Sequence, residues 1–180
     1  MAFAKAAQHP AHPGLRRGAR GLAAGELLGR MHAAGYARTL SAVRGAELPQ
    51  APASLDFRAV NLLYRDGVPT LVDPDNAEHA PRLLDVALAA LMFHNEIENG
   101  PGRLFDDAEW PAFIGAYLRH VQLTRAERAL WPTAVQYMLI EWGFWTLTDA
   151  AGIGAWAKPS QRSFLHDLAS TDEARFRLPA

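Results

Sequence analysis

Three oxygen-bearing side chains, Asp56, Asn61 and Asp73, are spaced so that they could serve one reaction. Residues 60–73, VNLLYRDGVPTLVD, read as strand, Asp-Gly turn and strand. Antiparallel pairing about Asp66-Gly67 would set Asn61 nearly opposite Asp73, and opposed residues lie roughly 5 Å apart at Cα. An amide oxygen and a carboxylate are hard ligands, suited to Mg²⁺ rather than zinc. Asp56 precedes the first strand in a loop that can curl its carboxylate toward the same point. A base that accepts a hydroxyl proton, beside oxygen ligands for a cation that neutralises phosphate charge, is what phosphoryl transfer requires. The plain alternative is a surface hairpin whose Asp and Asn side chains only cap turns.

Helices must position this hairpin. Residues 23–35 carry Leu27, Leu28 and Met31 on one face, with Gly35 as a stop; His32 within them reads as structural or as a ligand. Residues 45–54, GAELPQAPAS, read as a proline-bearing connector. After Pro81, RLLDVALAALMFHNE is apolar almost all round and predicts a buried helix. Asp107 is placed to cap a helix over AEWPAFIGAYLRHVQ, with Pro111 near its first turn. A long helical stretch from Arg125 to Ala150 is expected to kink or divide at Pro132 and to end at Gly152 and Gly154. Ser160 opens a last helix, QRSFLHDLAS. The expected fold class is α+β, mainly α-helical, with one central β-hairpin.

With 180 residues, 49 % apolar and 21 % charged, the chain can bury one core. Its net charge of −1 gives no bulk attraction to nucleic acid or to an anionic membrane, and neither is expected as a partner. The absence of cysteine removes disulfides, thiolate metal sites and a Cys nucleophile, and fits a reducing, cytoplasmic compartment. No apolar run is long enough to span a bilayer, and the first residues lack the apolar stretch of a secretory signal. Residues 1–21 mix Ala, His, Pro, Gly and Arg without period and are expected to be disordered.

Asp56-x-x-x-x-Asn61 has the spacing of a kinase catalytic loop. In SLDFRAVNLLYRDG, LVDPDNAEHAPRLLDVA and FLHDLASTDEARF, the chain resembles the aminoglycoside phosphotransferase and choline kinase-like superfamily over residues 22–178, with a flavour of the viomycin and capreomycin phosphotransferases. The resemblance implies a kinase-like C-terminal lobe over residues 22–180. It implies an antibiotic- or small-molecule-hydroxyl kinase using ATP, or another nucleoside triphosphate, and Mg²⁺. Asp56 would be the catalytic base, Asn61 and Asp73 the Mg²⁺ and nucleotide contacts, and Asp75 a second metal contact. Asp85 would hold the catalytic loop. Ser54 replaces the family's loop histidine. Arg58 stands where many members carry a second histidine, and either touches phosphate or serves as loop scaffold. The family's preceding sheet lobe, with its Gly-rich loop and lysine, has no counterpart among the 55 residues before Asp56. The expectation is therefore a lobe without its nucleotide-gripping partner, and the rival reading is an inactive binding module. Apolar surface meant for that lobe should drive self-association.

Two further groups carry alternatives. His94, Asn95 and Glu96 could contact an acceptor or simply end a buried helix. By the resemblance, Glu141, Trp142 and Trp145 line the acceptor pocket, where carboxylates suit a small, hydroxylated, cationic substrate. Read from residue type alone, Trp142, Phe144 and Trp145 belong to the core.

Overall fold

The computed structural model describes residues 36–179. The expectations for residues 1–21, for the helix at 23–35 and for His32 lie outside them. Among the described residues the chain is α+β and mainly helical, with two two-stranded antiparallel sheets. No helix among them is long and apolar enough to cross a membrane.

Helix α1 (Tyr36–Gly45) buries Thr39 and Val43, one turn apart, and packs on the later helix α4. The proline-bearing connector then becomes a strand: β1 (Gln50–Ala53) pairs with β4 (Glu78–Pro81). The connector breaks the helix as expected, and it also carries a strand that its prolines did not announce. The N–H of Arg82 reaches the carbonyl of Pro49, which fixes the alternation of the ladder. Pro52 and Pro81 fall at positions whose N–H would point out of the ribbon, so neither removes a ladder bond.

Between these strands stands the expected hairpin, β2 (Leu62–Arg65) and β3 (Val68–Leu71). Asp66 and Gly67 have φ of +52° and +78°, the paired positive values of a type I′ turn. The register differs by one from the expected pairing. Leu62 faces Leu71, and the N–H of Val72 donates to the carbonyl of Asn61 at 2.9 Å. Val72, not Asp73, therefore lies opposite Asn61.

Helix α2 (Arg82–Met92) buries nine of its eleven residues, as its all-round apolar pattern demands. The turn that leads into helix α3 (Glu109–Leu118) is closed by Asp106, not by Asp107. The Asp106 Oδ1 accepts from Ala108 and Glu109 N–H, and Glu109 returns a bond to the N–H of Asp106, a reciprocal box that position 107 could not close. Helix α4 (Arg125–Met138) starts at a capping box between Thr124 and Glu127 and runs through Pro132. The irregularity comes later, as a π turn over Leu139–Gly143 leading into α5 (Phe144–Gly152). Gly143 is buried there, and a Cβ on it would meet Leu139 Cδ1 at 3.0 Å. Gly154 follows with φ +73°, and α6 (Pro159–Ser170) begins with Pro159 in its first turn, one residue before Ser160.

The core gathers around α2. Trp110 of α3 stacks on Trp131 of α4 at 5.6 Å, and Phe57, Phe93, Phe105 and Phe113 form a contiguous aromatic cluster beside them.

Candidate functional site

The β1–β4 ribbon delivers the two ends of the site. Strand β1 runs into Ser54–Asp56, while β4 runs into the helix that carries Asp85. The Asp85 carboxylate accepts from the backbone N–H of Ser54 at 2.9 Å and of Leu55 at 2.8 Å. Burial pushes the Asp85 carboxyl above its ordinary value, against these two bonds, and the charge of Asp56 adds to the rise. Leu55 sits at φ +49°, a left-handed conformation unfavourable for a γ-branched residue, and the two bonds hold it there. Ala59 N–H donates to the carbonyl of Phe93, tying the other side of the loop to the end of α2.

Asp56 is thereby presented as a buried carboxylate. Asn61, also buried, donates its side-chain N–H to both the backbone carbonyl and the carboxylate of Asp56, each at 3.0 Å. Arg58 closes on the same carboxylate from the other side, Nε to one oxygen and Nη2 to the other, the latter at 2.8 Å. Its Nη1 reaches Glu96 at 2.5 Å. Burial alone would lower the Arg58 pKa, but the hydrogen bonds and charges of Asp56 and Glu96 outweigh it, so the guanidinium is held more firmly charged than usual. Of the two roles open to Arg58 from the sequence, loop scaffold is the contact it makes here.

Glu96 sits at φ +64° just past the end of α2, with its N–H on Gln161 Oε1 at 3.1 Å. Gln161, from α6, also donates to Asn95 Oδ1 at 2.6 Å, so a buried amide pair braces the turn that presents Glu96. His94 takes the structural alternative: its Nδ1 pairs with the carbonyl of Arg103, and its ring lies edge-on to Phe93 and Phe105.

Asp56, Arg58, Asn95, Glu96 and Gln161 line a cavity of about 440 Å³. The π turn and α5 contribute Glu141, Trp142, Trp145, Thr146 and Asp149 to its lining, and Ile153 just after α5 lines it too. Four lining residues carry carboxylates, Asp56, Glu96, Glu141 and Asp149, against one cation, Arg58, among the described residues. Trp145 is 62 % exposed, which removes it from the core; Trp142 is half-buried and packs against the core as well as the cavity. The arrangement suits a cation flanked by carboxylates and an aromatic face.

Asp73 and Asp75 are exposed and do not line this cavity; from their segment it is Asn76 that does. Among the described residues no three His, Cys, Asp or Glu side chains gather as a metal site. Asp73 follows Val72 directly, so it and Asn61 share the open end of the hairpin, offset by one residue.

Asn76, Thr146, Asp149 and Gln161 escaped the sequence reading. Asp149 left a signal, since Glu141, Trp145 and Asp149 recur at helical spacing. Gln161 left none, because its partner Asn95 lies 66 residues away. Compared with protein-family models, curated proteins and solved structures, the chain matches none.

Proposed function

We propose that this chain is the substrate-side lobe of an ATP- and Mg²⁺-dependent phosphotransferase acting on a hydroxyl of a small cationic molecule, with the fold of a kinase-like C-terminal lobe. The observation that carries the reading is the joint placement of a backbone-pinned Asp56, an Asn61 bonded to it, and an acidic, aromatic cavity opening beside them. The cavity takes the cationic part of the acceptor, with Trp145 and the carboxylates of Glu96, Glu141 and Asp149 around it. The acceptor hydroxyl then meets Asp56, which receives its proton as the oxygen bonds to the γ-phosphorus and the bond to the β-phosphate oxygen breaks, releasing the diphosphate. Asn61 keeps the Asp56 carboxylate oriented through its amide N–H. Asn61 and Asp73 would hold Mg²⁺ together with the phosphates, and the ion would neutralise charge on them.

The test is transfer of radiolabelled γ-phosphate from ATP to a panel of hydroxylated amines by the full chain, against Asp56→Asn. Loss of a general base should lower the rate about 10²- to 10⁴-fold. Transfer that survives Asp56→Asn, or transfer absent for every acceptor, overturns the catalytic reading.

A second reading is favoured by one observation: the Arg58 fork occupies both carboxylate oxygens of Asp56. A carboxylate so engaged suits a binding module without turnover, and amine binding with no phosphate transfer is the result that would select it.

A further inference from the structure

The cavity already contains a cation of the type it is shaped to receive. Arg58 bridges two carboxylates, and its two ends are not equivalent. Toward Asp56 it makes two contacts with a side chain only 12 % exposed. Toward Glu96 it makes a single contact, with a side chain 44 % exposed and open to the cavity. A bidentate pair shielded from water is held far more firmly than a single bond facing solvent. The turn that presents Glu96 is itself held, since Gln161 accepts from its backbone N–H.

We propose that Arg58 is an internal stand-in for the ligand's cationic group, and that an ammonium or guanidinium entering the cavity displaces it from Glu96 by exchange. The Asp56 end of the fork stays in place during this exchange. A ligand without positive charge cannot replace the lost bond, so neutral and anionic molecules meet a closed ion pair. Arg58 is on this view a positioning residue that sets specificity. The inference rests on the cation-binding half of the proposed function and not on phosphate transfer.

The test is a double-mutant cycle read by calorimetric titration of the full chain with agmatine, which carries one ammonium and one guanidinium. Arg58→Lys keeps the charge of the cavity but cannot reach both carboxylates at once. It should bind agmatine about tenfold more tightly, the size of one charge-assisted hydrogen bond. Glu96→Gln should bind about tenfold more weakly. In the Glu96→Gln background, Arg58→Lys should then change nothing, because the contested carboxylate is gone. Unchanged or weaker binding by Arg58→Lys overturns the exchange, as does an equal gain in both backgrounds. Near-ultraviolet circular dichroism on each variant confirms that the aromatic packing is intact. Absence of agmatine binding in every variant overturns both the exchange and the cation-binding reading of the cavity. A failed phosphate-transfer assay beside an intact cycle removes only the catalytic reading.

Discussion

The carboxylate of Asp85 accepts a 2.8 Å hydrogen bond from the backbone N–H of Leu55, thirty residues away in sequence. Leu55 is in the left-handed region, and the residue after it is Asp56. A conformation that is unfavourable by itself is thus imposed from another element to aim one side chain. Asp85→Asn puts an N–H₂ group against a backbone donor. It should lower stability by about 1–3 kcal/mol and lower any Asp56-dependent activity by about 10²-fold, the usual cost of a misplaced group. Leu55 also packs on the core, so its truncation costs burial, but Leu55→Gly should be at least as stable as Leu55→Ala in thermal unfolding, since glycine accepts positive φ. Leu55→Gly clearly less stable than Leu55→Ala would show that the backbone there is not under strain.

Glu127 is the second internal anchor. Its side chain is 0 % exposed, closes the cap on Thr124, and pairs with Arg82 at 2.8 and 3.0 Å. Burial pushes its carboxyl up, but the Arg82 bond and the Thr124 bonds outweigh that, leaving it below the ordinary value. Asp167 is lowered in the same way, against its own burial, by Arg175 and the N–H of Leu104. A carboxyl with a depressed folded-state pKa contributes stability above its unfolded value, and that stability is lost as pH falls through the folded value. Chemical denaturation should therefore show stability declining below about pH 4. Glu127→Gln should cost about 2–4 kcal/mol at neutral pH and flatten that decline. An acid limb unchanged by the substitution would exclude Glu127 as a source.

The two tryptophans on the cavity wall should separate by experiment. Trp145→Ala removes a mostly exposed ring, so thermal stability should hold while affinity for a cationic ligand drops by about 0.5–1 kcal/mol, the cation–π range at open sites. Trp142→Ala removes a ring that also packs on the core and should cost about 2–4 kcal/mol of stability. If Trp145→Ala destabilises as much as Trp142→Ala, Trp145 belongs to the core after all.

The hairpin stands with apolar side chains uncovered on both faces: Leu63 and Tyr64 are each 62 % exposed and Val68 64 %. Among the described residues its outer edges are unpaired, and exposed apolar ribbons associate. Light scattering should show mass rising with concentration, reduced by Leu63→Lys with Val68→Lys on one face or by Tyr64→Lys with Leu71→Lys on the other. A monodisperse monomer at all concentrations would refute this.

What the sequence made legible follows from the range of the interactions. The Asp66-Gly67 turn and the all-round apolar α2 are local patterns, and both are present as expected. The register was missed by one although the two-residue Asp66-Gly67 turn fixes it: with Arg65 opposite Val68, Asn61 falls opposite Val72. Strand β1 was missed because prolines read as breakers, yet a two-stranded ribbon has free edges on which they can sit. The cap at Asp106 was misplaced by one because only the return bond from Glu109 distinguishes the two aspartates. That Asp56 and Asn61 lie close was legible from spacing, but the direct amide-to-carboxylate bond between them was not, and the Arg58–Glu96 bridge joins positions 38 apart that no pattern links.

The π turn at Leu139–Gly143 has an effect beyond its own five residues. A wide turn accommodates one residue more than an α turn, so everything after it is rotated by roughly 100° relative to an uninterrupted helix. Trp145 and Asp149 owe their orientation to that phase shift. Removing one residue from the turn would swing them off the cavity-facing side while leaving the helix continuous, so loss or gain of a single codon here would remodel the chamber's wall without rebuilding the fold.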